Sequence, residues 1–85
     1  MNTVQVTMEL PRTVLSALRK EPAAFVADMR IAAAVKWYEL EMVSQAKAAE
    51  IAGISRAAFL AELDRFGVSP FQSTLEDLIA ESRDD

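Results

Sequence analysis

Apolar and polar positions alternate from Thr3 to Leu10, with Val4, Val6, Met8 and Leu10 on one side and Thr3, Gln5, Thr7 and Glu9 on the other. A period of two is the pattern of a half-buried strand. No other stretch of the chain alternates in this way. A lone strand leaves N–H and C=O groups unpaired along both edges. The pattern therefore predicts pairing with the same strand of a second copy, as an antiparallel two-fold ribbon. Val4, Val6, Met8 and Leu10 would form the dimer interface. The alternative is an extended arm lying on the chain's own helices.

Beyond Leu10 the period lengthens to that of helices. Pro11 is placed to open a short helix at N1, where its missing N–H is harmless. Val14, Leu15 and Leu18 give that helix its apolar stripe, and it ends near Arg19-Lys20. Glu21-Pro22 is a second start signal. From Pro22 to Val43 the chain reads as its longest helix, with sixteen of 22 residues apolar. A helix apolar on most faces belongs at the centre of a core. Asp28, Arg30 and Lys36 interrupt the run and exclude a membrane span. Trp37 and Tyr38 fit a core or interface role better than a base-stacking platform.

The stretch from Ser44 to Phe66 reads as helix, tight turn, helix. Gln45 to Ala52 form the first helix, in which Ala48, Ala49, Ile51 and Ala52 make small and apolar contacts. Gly53 suits a left-handed helix end, Ile54 fills the gap between the helices, and Ser55 is an N-cap. The second helix buries Phe59, Leu63 and Phe66, with Leu63 standing in for an apolar residue at the Glu62 position. This is the helix-turn-helix layout that sets a second helix in the DNA major groove. Two helices packed at an angle for stability alone would give the same signal. Gly67 ends the second helix, and Val68 to Gln72 form a loop. Ser73-Thr74-Leu75-Glu76 is a capping box before a last short helix, Thr74 to about Ser82, with Leu75, Leu78 and Ile79 as its stripe.

Composition narrows the chemistry. The 85 residues make one domain, with neither cysteine nor histidine and glycine only at 53 and 67. Thiolate or imidazole metal sites, histidine general bases and glycine-rich phosphate loops are thereby excluded. No catalytic or metal-ligating residue and no cofactor is expected. The net charge of −4 resides in residues 73–85, which hold Glu76, Asp77, Glu81, Asp84 and Asp85 against Arg83. An acidic end of this kind suits a basic partner, and a solvated end is the commoner alternative. Residues 44–72 balance Lys47, Arg56 and Arg65 against Glu50, Glu62 and Asp64, so the motif carries no net charge toward phosphate. The opening Met1-Asn2-Thr3 lacks a basic n-region and an apolar h-region, so a cytoplasmic location is expected.

The segments T-M-E-L-P, A-V-K-W-Y-E-L, S-Q-A-K-A-A-E-I-A-G-I-S-R-A-A-F-L-A-E-L, G-V-S-P-F and T-L-E-D-L span nearly the whole chain. Together they resemble a small, formally uncharacterised prokaryotic family of antitoxin-like proteins, often encoded beside PIN-domain ribonuclease toxins of the VapC type. The chain departs from that pattern at Glu41-Met42-Val43, where such families commonly have a Gly and a basic residue. There the long helix is expected to run further into the motif. It also has Pro70-Phe71-Gln72 where relatives tend to carry a Tyr or Asp-Tyr. The opening is similar, too, to ribbon-helix-helix antitoxins.

The fold expected is mainly α. It comprises one short N-terminal β-strand paired across a dimer, a long central helix, a helix-turn-helix over 44–67 and a short last helix, with residues 1–43 serving dimerisation. The function expected is an antitoxin-like DNA-binding regulator that also binds its toxin; the alternative is an interaction adaptor whose motif is only structural. Ser44, Gln45, Lys47, Ser55, Arg56 and Arg65 are the candidate DNA contacts, with Thr3, Gln5 and Thr7 of the ribbon as second choice. Leu75, Glu76, Asp77, Leu78 and Glu81 are the candidate toxin contacts.

Overall fold

A computed structural model describes residues 2–72 of the chain. Four helices follow in order: α1 (Arg12–Leu18), α2 (Pro22–Glu39), α3 (Gln45–Ala52) and α4 (Arg56–Arg65), and then a single 3₁₀ turn at Pro70–Gln72. The last helix expected from Thr74 lies outside the described residues.

The mainly helical expectation is met, but the N-terminal strand is not. Among the described residues there is no β-strand. Residues 2–11 have no regular structure, and Val4 and Val6 are 86% and 80% exposed. Alternation fixes only which side chains share a side. A strand exists through its ladder of hydrogen bonds, and no second segment among the described residues supplies an edge. Met8 and Leu10 instead line an apolar groove of about 180 Å³ with Leu15, Pro22, Phe25 and Val26. Pro11 also differs from expectation: it is the N-cap of α1 rather than its first helical residue.

All four helices end in the same way. At each C-terminus a residue turns left-handed: Arg19 (φ 55°), Glu41 (φ 62°), Gly53 (φ 73°) and Gly67 (φ 70°). Each donates its N–H to the carbonyl three residues back, and the next residue donates to the carbonyl five back. These pairs are Arg19 to Ser16 and Lys20 to Leu15, Glu41 to Tyr38 and Met42 to Trp37, Gly53 to Glu50 and Ile54 to Ala49, and Gly67 to Asp64 and Val68 to Leu63. This Schellman arrangement satisfies carbonyls that a helix end leaves open. It also corrects the length of α2, which stops at Glu39 instead of running to Val43, because Glu41 adopts the turn that glycine usually makes. An L-residue there carries a steric cost that glycine lacks. Glu41→Gly is expected to stabilise the chain by about 0.5–1 kcal/mol net of its unfolded-state entropy, seen as a higher urea midpoint at unchanged m-value.

Among the described residues the buried core lies within residues 34–68. It consists of Ala34, Val35 and Tyr38 from α2, Ala48, Ala49 and Ala52 from α3, Phe59 and Leu63 from α4, and Val68 beyond it, with Ile31, Val43, Ile51 and Ile54 packed against it. The alanines of α3 bring its axis close to α2, since small contact residues set the shorter interaxial distances. Tyr38 and Phe59 meet edge to face with ring centroids 6.0 Å apart, a favoured aromatic geometry. Phe66, expected inside, is 40% exposed, and the Arg65 guanidinium lies 4.6 Å above its ring.

The apolar character of α2 has a different meaning from the one expected. One stripe, Ile31, Ala34, Val35 and Tyr38, faces the core. A second, Val26, Met29, Ala33, Trp37 and Leu40, stays exposed or half-buried. At 3.6 residues per turn the two stripes lie about 150° apart around the helix axis. No residue from 2 to 33 is buried. α2 is half a core helix.

Candidate nucleic-acid interface

The two helices of the motif begin on serines that cap them. The Ser44 hydroxyl accepts from Lys47 N–H at 3.1 Å, and the Ser55 hydroxyl accepts from Ala58 N–H at 3.0 Å. Each cap satisfies one of the open donors of a first turn. Three residues, Gly53 to Ser55, join α3 to α4. Ser44 is itself buried. Its placement is therefore that of a structural cap.

A chain of hydrogen bonds crosses the domain from this point. Arg56, the first residue of α4, donates from Nη2 and Nε to Gln45 Oε1 at 2.8 and 3.2 Å. Gln45, the first residue of α3 and also buried, donates from Nε2 to Tyr38 Oη at a longer 3.4 Å. Tyr38 donates to the Pro70 carbonyl at 3.1 Å. Two expected DNA contacts, Gln45 and Arg56, are thus bonded directly to each other, and Gln45 is held in turn by Tyr38, a residue expected in the core or at an interface. The bonds pin the N-termini of α3 and α4 beside each other and tie both to α2 and to the loop after α4. Tyr38→Phe removes the last donor and leaves the Pro70 carbonyl without it. A loss of about 1 kcal/mol is expected, measured by denaturation against the unaltered chain.

A second link, through Arg30, was also not foreseen. Its Nε donates to the Ile51 carbonyl at 2.9 Å, in the last turn of α3. A cation at a helix C-terminus opposes the negative end of the dipole. A lone base within an apolar run gave no hint of this role.

The remaining cations of the motif lie among acids. Lys47 pairs with Glu50 at 3.0 Å and Arg65 with Glu62 at 2.6 Å, each one turn away on its own helix. Such exposed pairs contribute little to stability, and a phosphate can replace the carboxylate. Of the ten residues of α4, only Phe59 and Leu63 are buried. Ser55, Arg56, Ala57, Leu60, Ala61, Asp64 and Arg65 are exposed.

Thr3, Gln5 and Thr7 lie in the exposed arm, far in sequence from the motif. With no ribbon to carry them, they share no regular surface, and the strand on which their role depended is absent. Val4, Val6, Met8 and Leu10 are exposed in the same arm. Leu75, Glu76, Asp77, Leu78 and Glu81 lie outside the described residues. Among the described helices none is long and apolar enough to cross a membrane. Neither a curated protein nor a solved structure matches the chain. Over residues 1–84 the sequence matches the model of the uncharacterised protein family UPF0175, and the chain belongs to that family.

Proposed function

We propose that this chain is an antitoxin-like, cytoplasmic DNA-binding regulator of a toxin–antitoxin pair, with double-stranded DNA and a toxin, of the PIN-domain ribonuclease class, as its partners. The observation that carries the reading is the joining of two helix N-termini through Arg56 and Gln45, beside an α4 that buries only Phe59 and Leu63. The positive dipole ends of two helices favour phosphate at one place. α4 is then free to lie along the major groove with Ser55 and Arg56 leading. Lys47 and Arg65 would exchange Glu50 and Glu62 for phosphate, while Ser44 and Gln45 act by holding α3 in place. The acidic segment with Leu75, Glu76, Asp77, Leu78 and Glu81 would meet the toxin, where carboxylates can pair with arginine side chains.

The test is titration with the DNA just upstream of the gene at two salt concentrations. Binding should weaken steeply with salt, each phosphate contact adding about −0.9 to the log–log slope. Lys47→Ala is expected to weaken binding to all sequences alike and to reduce the slope by about 1. The exposed Ala57, Leu60 and Ala61 of α4 favour one other reading, an interaction adaptor whose motif is scaffold. Absence of DNA binding, with and without the neighbouring gene's product, would decide for the adaptor.

A further inference from the structure

We infer that the outward stripe of α2 is the face on which a second copy of this chain packs, antiparallel and centred on Ala33. The inference is independent of the DNA reading, since it concerns how two copies meet and not what they bind.

Exposure is the first reason. None of residues 2–33 is buried, and Val26, Trp37 and Leu40 of the outward stripe are 46%, 40% and 55% exposed. A contiguous apolar face left open in this way marks a site of association.

Spacing is the second reason, and it selects the occupant. Val26, Met29, Ala33, Trp37 and Leu40 follow one another at intervals of three, four, four and three. That order reads the same from either end. Laid antiparallel about Ala33, Val26 of one copy faces Leu40 of the other, Met29 faces Trp37, and Ala33 faces Ala33. A two-fold interface has to be self-complementary in this way, whereas a foreign partner imposes no such symmetry. The small central residue lets the axes approach to about 8 Å.

The helix dipoles agree with the antiparallel sense. Antiparallel packing opposes them, whereas parallel packing would bring like ends together.

The groove lined by Met8, Leu10, Leu15, Pro22, Phe25 and Val26 completes the fit. It opens at the Val26 end of the stripe, where the second copy brings Leu40 and Met42, which are 55% and 64% exposed in the single chain. The N-terminal arm thus acts as one wall of a socket. No strand pairing is involved.

Sedimentation of the full chain over a wide concentration range, with three variants, tests this. The unaltered chain should be a dimer. Ala33→Glu sets two carboxylates against each other on the axis and is expected to raise the dimer dissociation constant about 100-fold or more. Leu40→Lys should weaken the dimer at the groove, and both variants should keep the far-UV circular dichroism of the parent. Ala33→Cys introduces the chain's only thiol, and the two copies should oxidise readily to a disulfide across the axis, whose Cα atoms must lie within about 7 Å. Trp37, the only tryptophan, should shift its emission to the blue as dimer forms. A chain that stays monomeric, or a dimer indifferent to Ala33→Glu and not cross-linked through Ala33→Cys, overturns the inference. So does Trp37 emission that shifts only when the neighbouring gene's product is added, which would give the stripe to that protein.

Discussion

Phe59→Ala is expected to cost about 3–5 kcal/mol and to leave much of the chain unfolded at room temperature. Phe59 has no exposed surface, and its ring meets Tyr38 edge to face. Its removal takes away the transfer free energy of a whole aromatic ring and opens a cavity between α2 and α4. The alanines of α3 (Ala48, Ala49 and Ala52) have no length with which to fill that cavity. Tyr38 cannot follow the void without giving up its bond to the Pro70 carbonyl. A chain of this size has about 4–13 kcal/mol of stability in all, and among the described residues the buried core is supplied by residues 34–68. Circular dichroism during urea titration measures the loss. Phe66→Ala serves as the comparison, because Phe66 is exposed under Arg65 and should cost less than about 1 kcal/mol. Equal losses from the two substitutions would mean that the core is not centred on Phe59.

What the sequence disclosed about this core, and what it hid, follows from the range of the interactions. The helices α3 and α4 and the turn between them were legible because their determinants are local. Gly53 ends one helix, Ser55 caps the next, and Phe59 and Leu63 recur on one face, all within eleven residues. The substitution of Leu63 for the usual position at Glu62 was legible too, since Leu63 has no exposed surface and Glu62 turns aside to Arg65. The end of α2 was not legible. Glu41 gives no propensity signal for a left-handed turn, and its neighbours Leu40 and Met42 continue the apolar pattern that suggested a longer helix. Nor was the strand safely legible, because a period of two is necessary for a half-buried strand but does not supply its partner.

The candidate site divides along the same line. The residue types at the two helix starts could be read from spacing alone. That Gln45 and Arg56 hold each other, and that Tyr38 anchors them, depends on contacts across 7, 11 and 32 positions. No local pattern encodes these. The site residues therefore split into holders (Ser44, Gln45 and Tyr38) and outward groups such as Lys47, Ser55 and Arg65. A sequence motif names both kinds alike. Arg56 belongs to both, so an effect of Arg56→Ala on DNA binding has to be read beside its effect on stability.

Gly53→Ala should show how the turn itself is held. Two glycines of the motif have nearly the same conformation, φ 73° at Gly53 and 70° at Gly67. A side chain at either position meets the same left-handed strain, about 1 kcal/mol or a little more. Their surroundings differ. A Cβ at Gly67 would meet nothing within 4 Å, whereas one at Gly53 would come within 3.0–3.1 Å of the Arg30 guanidinium. Arg30 can swing away, but only by releasing the Ile51 carbonyl that its Nε now holds at 2.9 Å. That bond is exposed, so its loss adds about 1 kcal/mol rather than the larger value of a buried charged bond. Gly67→Ala is therefore expected to cost about 1 kcal/mol and Gly53→Ala about 2–3 kcal/mol. Arg30→Ala tests the assignment. Alone it should cost about 1 kcal/mol, but in the Gly53→Ala chain it should cost almost nothing, because the bond is already broken. Strict additivity of the two substitutions would show that Arg30 does not brace the turn. The difference between the glycines would then have to arise in the backbone of α3 and α4.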